Sequence, residues 1–147
     1  MNIAVVSQCF WPEQFIINDL VKELAQQGHC VFVLTGKPNY PGGDIFPGYT
    51  KNTTLTEEFV DGVSVFRAPL RPRGKSSAKD LFLNYLSFVV NGLKYFPKAI
   101  HGRTIDVILF FGISPITAVI PAIRLKRKTK AHLAVWVQDL WPESLKA

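Results

Sequence analysis

The sequence is poor in cysteine, histidine, acidic residues and glycine-rich phosphate loops, and each shortage removes a class of function. Cys9 and Cys30 are the only cysteines among 147 residues. Neither lies in a C-x-x-C pair, so a disulfide framework is excluded. Both fall in predicted strands, where a free cysteine behaves as a small buried apolar residue, and a reducing, cytoplasmic setting is expected. His29, His101 and His132 have no Cys or acid at ligand spacing, so no metal site is expected. The loop after the first apolar run, Cys9-Phe10-Trp11-Pro12-Glu13-Gln14, contains no glycine, which removes the G-x-G-x-x-G dinucleotide fingerprint. Gly36-Lys37 lacks the glycine spacing and the Ser/Thr of a Walker loop, and Ser7 and Ser114 have no nucleophile elbow around them. Neither cofactor nor metal is expected. Internal repeats and low-complexity segments are lacking, and Met1-Asn2-Ile3 enters a strand directly, without a basic leader or a cleavage site.

What is present suits one domain. The apolar fraction is 48% and the charged fraction 19%, which argues against disorder and for a chain with much surface to hide. Charge is divided unevenly, with three bases against seven acids through Gly62 and fourteen against four from Val63 onward. Two basic clusters stand out, Arg67-Arg71-Arg73-Lys75-Lys79 and Arg124-Lys126-Arg127-Lys128-Lys130. Such clusters are either solvated faces or attractors of phosphate, on nucleotide, nucleic acid or anionic lipid. The aromatics lie in apolar runs rather than interleaved with Lys and Arg, so the stacking platform of a nucleic-acid binder is missing and no nucleic-acid partner is expected.

Periodicity orders the chain as β-α-β, hairpin, helix, β-α-β. Residues 2–7 form a continuous apolar run of the kind found in central parallel strands. Residues 15–27 carry helical spacing stopped by Gly28, and 29–35 form a second strand. Residues 53–59 and 63–68 are β-rich runs divided by Val60-Asp61-Gly62, a hairpin signal. Residues 106–111 form the next central strand, followed by a helix through Arg127 with Ser114 as N-cap and Pro115 in its first turn; Pro121 either kinks that helix or marks its true beginning. Residues 131–137 read as a buried strand with a polar tip, Gln138-Asp139, then Trp141-Pro142-Glu143-Ser144. The fold expected is α/β, a Rossmann-like doubly wound, mostly parallel sheet with helices on both faces.

The segment 81–96 is apolar nearly all round, leaving a narrow polar line at Asn84, Ser87, Asn91, Lys94 and Lys98. It is either a core helix packed on the sheet or an interfacial helix presenting Leu86, Phe88, Val89 and Lys94 to an anionic membrane surface. At about 1.5 Å per residue it is too short to span a bilayer.

In an open α/β sheet, ligands bind beyond the carboxyl ends of the strands, where loops carry function. The polar residues expected on that rim are Pro12, Glu13 and Gln14; Lys37, Asn39 and Tyr40 with Gly42 and Gly43; Gly112 with Ser114; and Gln138 with Asp139. Backbone N–H groups near Gly42-Gly43 and Gly112-Ser114 suit an anion. Glu13 and Asp139 suit sugar hydroxyls, and they are the candidate catalytic residues.

The runs NIAVVSQCFWPE, QQGH, VFVLTG and NYPGG, and above all ILFFGISPITAVIPAIRLKRKTKAHLAVWVQDLWPES, resemble the N-terminal half of bacterial retaining glycosyltransferases built from two Rossmann-like domains (the GT-B type). The likeness is greatest to the colanic-acid and O-antigen branch that includes N-acetyl-L-fucosamine transferases. The resemblance implies that residues 1–147 form the acceptor-side domain, with most nucleotide-sugar contacts on a C-terminal domain outside this chain. It implies a donor such as a UDP-sugar, a lipid-linked (polyprenyl diphosphate) acceptor, and a place on the inner face of the cytoplasmic membrane. It requires no metal. Many members carry a Gly-Gly pair in the first loop, where this chain has Glu13-Gln14-Phe15, and a His near the end of the last strand, where it has Gln138-Asp139. The alternative is a catalytically inactive binding module that dimerises through the surface a second domain would cover.

Overall fold

The computed structural model describes residues 1–60 and 62–139. Its elements are β1 (Asn2–Ser7), α1 (Ile16–Gln26), β2 (Cys30–Thr35), β3 (Leu55–Glu58), β4 (Ser64–Arg67), α2 (Ala78–Ala99), β5 (Val107–Gly112), a short 3-10 turn (Ile116–Val119), α3 (Ile120–Thr129) and β6 (His132–Val137). The strands form one sheet in the order β3-β4-β2-β1-β5-β6, parallel throughout except for the β3–β4 hairpin. This is the Rossmann-like α/β arrangement expected, with the topological switch point between β1 and β5.

Alternation along β1 explains the two layers. Ile3 and Val5 face a cluster with Ile17 and Val21 of α1, whereas Ala4 and Val6 face Phe88 and Phe96 of α2 and Ala122 and Leu125 of α3. A strand buried on both faces has no polar side to show, hence the uninterrupted apolar runs.

α2 begins earlier than its apolar pattern suggests. Ser77 is the N-cap, its Oγ accepting the Asp80 N–H at 3.2 Å while its hydroxyl donates to Asp80 Oδ2 at 2.7 Å. Its orientation inverts the usual amphipathic rule over its first half. Asn84, on the polar line, is fully buried, while Phe82, Leu86 and Val90 are 63%, 45% and 53% exposed. Phe88, expected to face a membrane, packs instead edge-on to Phe96 at 5.8 Å in the core. Val89 is half-buried, and Lys94 is exposed, as Leu86 is. No helix among the described residues is long and apolar enough to cross a membrane.

Three other expectations are corrected. Cys30 opens β2 at an exposed position, and Cys9 lies in the loop after β1, buried. Ser114 caps no helix: α3 starts at Ile120 with Pro121 in its first turn, so that proline marks the helix start. Among the described residues β6 is an edge strand paired with β5 alone, and Val135 and Val137 are exposed. The segment Trp141-Pro142-Glu143-Ser144 lies outside the described residues.

Candidate functional site

A pocket of about 180 Å³ opens at the switch point. β1 delivers Gln8 and Cys9 to it, β5 delivers Phe111, Ile113 and Ser114, and the chain after β6 delivers Asp139. Tyr40 enters from the loop after β2, Phe15 from the start of α1, Arg73 from the loop after β4, and Tyr85 from α2.

Arg73 is the dominant charge. Its guanidinium lies 5.3 Å from the Tyr40 ring centre and 5.9 Å from that of Tyr85, and among the described residues no carboxylate pairs with it. Two aromatic faces hold the cation in place without neutralising it. Its backbone is held too, the Arg73 N–H donating to Asn39 Oδ1 at 3.2 Å. The rest of the first basic cluster is dispersed. Arg67 is fully buried, bonded to Glu57 and to the carbonyls of Gly36 and Trp11. Arg71 sits 3.6 Å from Asp80.

Two buried polar groups hold the rim loops together. Glu13, 2% exposed, accepts the N–H of Phe10 on Oε2 at 3.1 Å, and those of Asn39 and Tyr40 on Oε1 at 2.9 and 2.8 Å. Burial nevertheless raises its carboxyl pKa, against the lowering effect of those three donors and of Arg67. Asn18 of α1 completes this clamp, accepting the Trp11 N–H and donating to the Glu13 carbonyl. Asn84 is the second group: it receives Gln8 Nε2 at 2.8 Å and donates to the Arg71 carbonyl and to Asn39 Oδ1.

The structure therefore divides the expected rim residues. Tyr40, Ser114 and Asp139 line the pocket. Glu13 does not act there as a free carboxylate, because both its oxygens are engaged by backbone donors. Lys37 is 1% exposed, turned inward rather than onto the crevice; burial first, then Arg67, lowers its pKa. Asn39 is buried and spent on loop contacts. Gly43 is no anion cradle: its N–H donates to Asn39 O, its carbonyl accepts the Gly74 N–H, and a Cβ there would lie 2.1 Å from Gly74 O. Gly112 is packed on Phe110, its carbonyl accepting the Gln138 N–H. Pro12, Gln14, Gly42 and Gln138 line no part of the pocket.

Sequence reasoning missed Gln8, Tyr85 and Arg73 as site residues. Arg73 was visible only as one of a cluster, and nothing local separates it from Arg67. The Cys9 thiol, beside the pocket, is held well above its ordinary pKa by burial and then by Glu13, so it stays protonated and is a poor nucleophile. No group of three or more His, Cys, Asp or Glu lies together among the described residues.

A second cavity adjoins the first. A groove of about 560 Å³ runs along α2 and the 3-10 turn, lined by Leu81, Phe82, Leu86, Val89, Pro115 and Ile120, and Tyr85 lines both cavities. Further along the same two helices, Arg124, Arg127 and Lys128 line another open groove.

No protein-family model matches the sequence, and no curated protein is significantly similar to it. Among solved structures, the chain is similar to a sucrose-phosphate synthase from Thermosynechococcus elongatus, with a TM-score of 0.67 and 15% identity over 99% of this chain. The chain spans about a third of that protein, 35% of its length. At this identity the likeness is one of fold, a Rossmann-like unit shared with a GT-B glycosyltransferase.

Proposed function

We propose that this chain is the acceptor-side domain of a retaining glycosyltransferase. In this reading it moves a sugar from a nucleotide-sugar donor, UDP-linked, to a lipid-linked oligosaccharide during assembly of a surface polysaccharide. The observation that carries the reading is that Tyr85 lines both an apolar groove and a polar pocket whose Arg73 has no carboxylate partner among the described residues. An acceptor that joins an isoprenoid chain to a phosphorylated sugar has the same division: chain in the groove, anion at Arg73, sugar hydroxyls toward Gln8, Ser114 and Asp139.

The chemistry asked of this half is positioning and charge stabilisation. Tyr40, Tyr85 and Phe15 exclude water and offer ring faces to a sugar. Asp139 is the carboxylate placed to hold or deprotonate an acceptor hydroxyl, and Arg73 offsets charge near the departing diphosphate. Glu13 acts at one remove, as the positioning residue that sets Tyr40. Donor binding and retention of configuration belong to a second domain that faces this crevice. The finer identification of the donor sugar as N-acetyl-L-fucosamine rests on the sequence resemblance. Exposed Phe82, Leu86 and Val90 on α2, with Lys94, Arg124 and Arg127 farther along the helices, support peripheral attachment to an anionic membrane.

The test is transfer by the protein as its complete reading frame encodes it. Incubation with radiolabelled UDP-N-acetyl-sugars and polyprenyl-diphosphate saccharides should move label into the lipid fraction, and Asp139→Asn should abolish the transfer. Failure with every nucleotide sugar supplied would remove the reading. The exposed edge of β6 favours a rival, a non-enzymatic module that pairs with itself along that strand. Sedimentation of a stable dimer that turns over no nucleotide sugar would support it.

A further inference from the structure

Gln8, which lines the pocket, carries a buried acceptor that no group among the described residues uses. Asn84 donates Nδ2 to the backbone carbonyl of Arg71. A carbonyl oxygen cannot donate, so the amide of Asn84 has one orientation: nitrogen toward Arg71, oxygen toward Gln8. Gln8 must then offer Nε2 to that oxygen, as the 2.8 Å contact records. The relay commits the other end of the Gln8 amide. Oε1 is buried without a hydrogen-bond partner among the described residues, on a residue 8% exposed that lines the pocket. A ligand filling this space binds best if it brings an O–H or N–H donor to that atom.

Arg73 sets the second requirement, since its guanidinium faces the same pocket with two rings around it and no carboxylate partner among the described residues. An alkyl phosphate dianion satisfies Arg73 and gives Gln8 Oε1 nothing to accept. A neutral sugar does the reverse. A cavity of about 180 Å³ has the room of about six waters, enough for one sugar ring.

We infer that the pocket is a subsite for a hydroxylated phosphate of the sugar-phosphate class. Its phosphoryl oxygens pair with Arg73, one of its hydroxyls donates to Gln8 Oε1, and Gln8 is the specificity-determining residue. The inference deepens the transferase reading and rests on it for the kind of ligand, but its observations belong to the pocket alone. Asn84 acts through Gln8 by fixing which end of that amide faces the ligand, which makes it a positioning residue.

Equilibrium binding to the 147-residue chain is measured with glucose 1-phosphate, propyl phosphate and inorganic phosphate. Glucose 1-phosphate is expected to bind at least about tenfold more tightly than propyl phosphate, the effect of one hydrogen bond to an otherwise unpaired buried acceptor. Gln8→Met should bring that ratio close to one while leaving propyl phosphate within about twofold, and Arg73→Gln should weaken all three probes. Should Gln8→Met fail to fold, the side-chain amide resonances of Gln8 in the unsubstituted protein serve instead: they should shift with glucose 1-phosphate and stay still with propyl phosphate. Equal affinity for the two organic phosphates, a preference surviving Gln8→Met, or still Gln8 resonances under saturating glucose 1-phosphate would each overturn the inference. Binding as expected in a protein that transfers no sugar would leave the subsite standing and remove the transferase reading. Transfer without a Gln8-dependent preference would do the opposite.

Discussion

Replacing Glu13 with glutamine separates a structural clamp from a catalytic carboxylate. The native side chain accepts three backbone N–H groups from two loops. An amide oxygen left facing Asn39 and Tyr40 keeps two of them, but the new NH₂ then meets the Phe10 N–H, donor against donor. One hydrogen bond is lost and the Phe10 N–H is left unsatisfied in a buried site, at a cost of about 1–3 kcal/mol. For a chain of this length about 2 kcal/mol lowers Tm by roughly 4–8 °C. The effect has a pH signature. Burial raises the folded pKa of Glu13 above its ordinary value, so the native state binds its proton more readily than the unfolded chain does. The Glu13 contribution to stability is therefore greatest below the unfolded pKa, near 4.5, and declines as pH rises through the raised folded value. Wild type minus Glu13→Gln, from denaturant titrations at several pH values, should widen as pH falls from 7 toward 4.5. A variant as stable as wild type at all pH values, yet lacking activity in the full-length enzyme, would refute the clamp and restore Glu13 to the chemistry.

Other substitutions test the same structure. Asn84→Ala removes the partner of Gln8 Nε2 and of two acceptors in a fully buried site, and should cost about 2–4 kcal/mol in chemical denaturation. Phe88→Ala should cost about 3–5 kcal/mol, whereas Leu86→Ser should stay within about 0.5 kcal/mol and instead reduce sedimentation with vesicles of anionic lipid; the opposite pattern would place α2 the other way round. Lys37→Met should leave stability unchanged or raise it, because burial and Arg67 lower the Lys37 pKa. In wild type that ammonium opposes folding below its folded pKa, and the difference from Lys37→Met should shrink as pH rises toward 10.5.

Local pattern was enough for much of the fold. The apolar runs at 2–7 and 106–111 read as strands covered on both sides, Gly28 and Gly62 sit where a helix or strand must turn, and helices between parallel strands point to a doubly wound sheet. A doubly wound sheet also sets the place of the crevice, at the carboxyl ends beside β1. It does not say which polar residue on the rim points outward. Glu13, Lys37 and Asn39 are as polar as Tyr40 and Asp139, and only the packing of the loop after β2 on the loop after β1 buried the first three and left the others facing the pocket.

The exposed side of α2 was undetermined for a related reason. Its sequence is apolar nearly all round, so hydrophobicity alone gives no direction, and a reader expects the polar line to face water. The direction was decided by hydrogen bonds made across the chain: Asn84 meets Gln8 and Arg71, and Ser87 meets the Arg71 N–H at 3.0 Å. Those bonds turn Asn84 and Ser87 at the start of the polar line inward and leave Phe82, Leu86 and Val90 outside. Periodicity is a property of one segment and survives in the sequence. The partner of a buried amide is a property of two distant segments, here 76 residues apart, and exists only once the chain has folded.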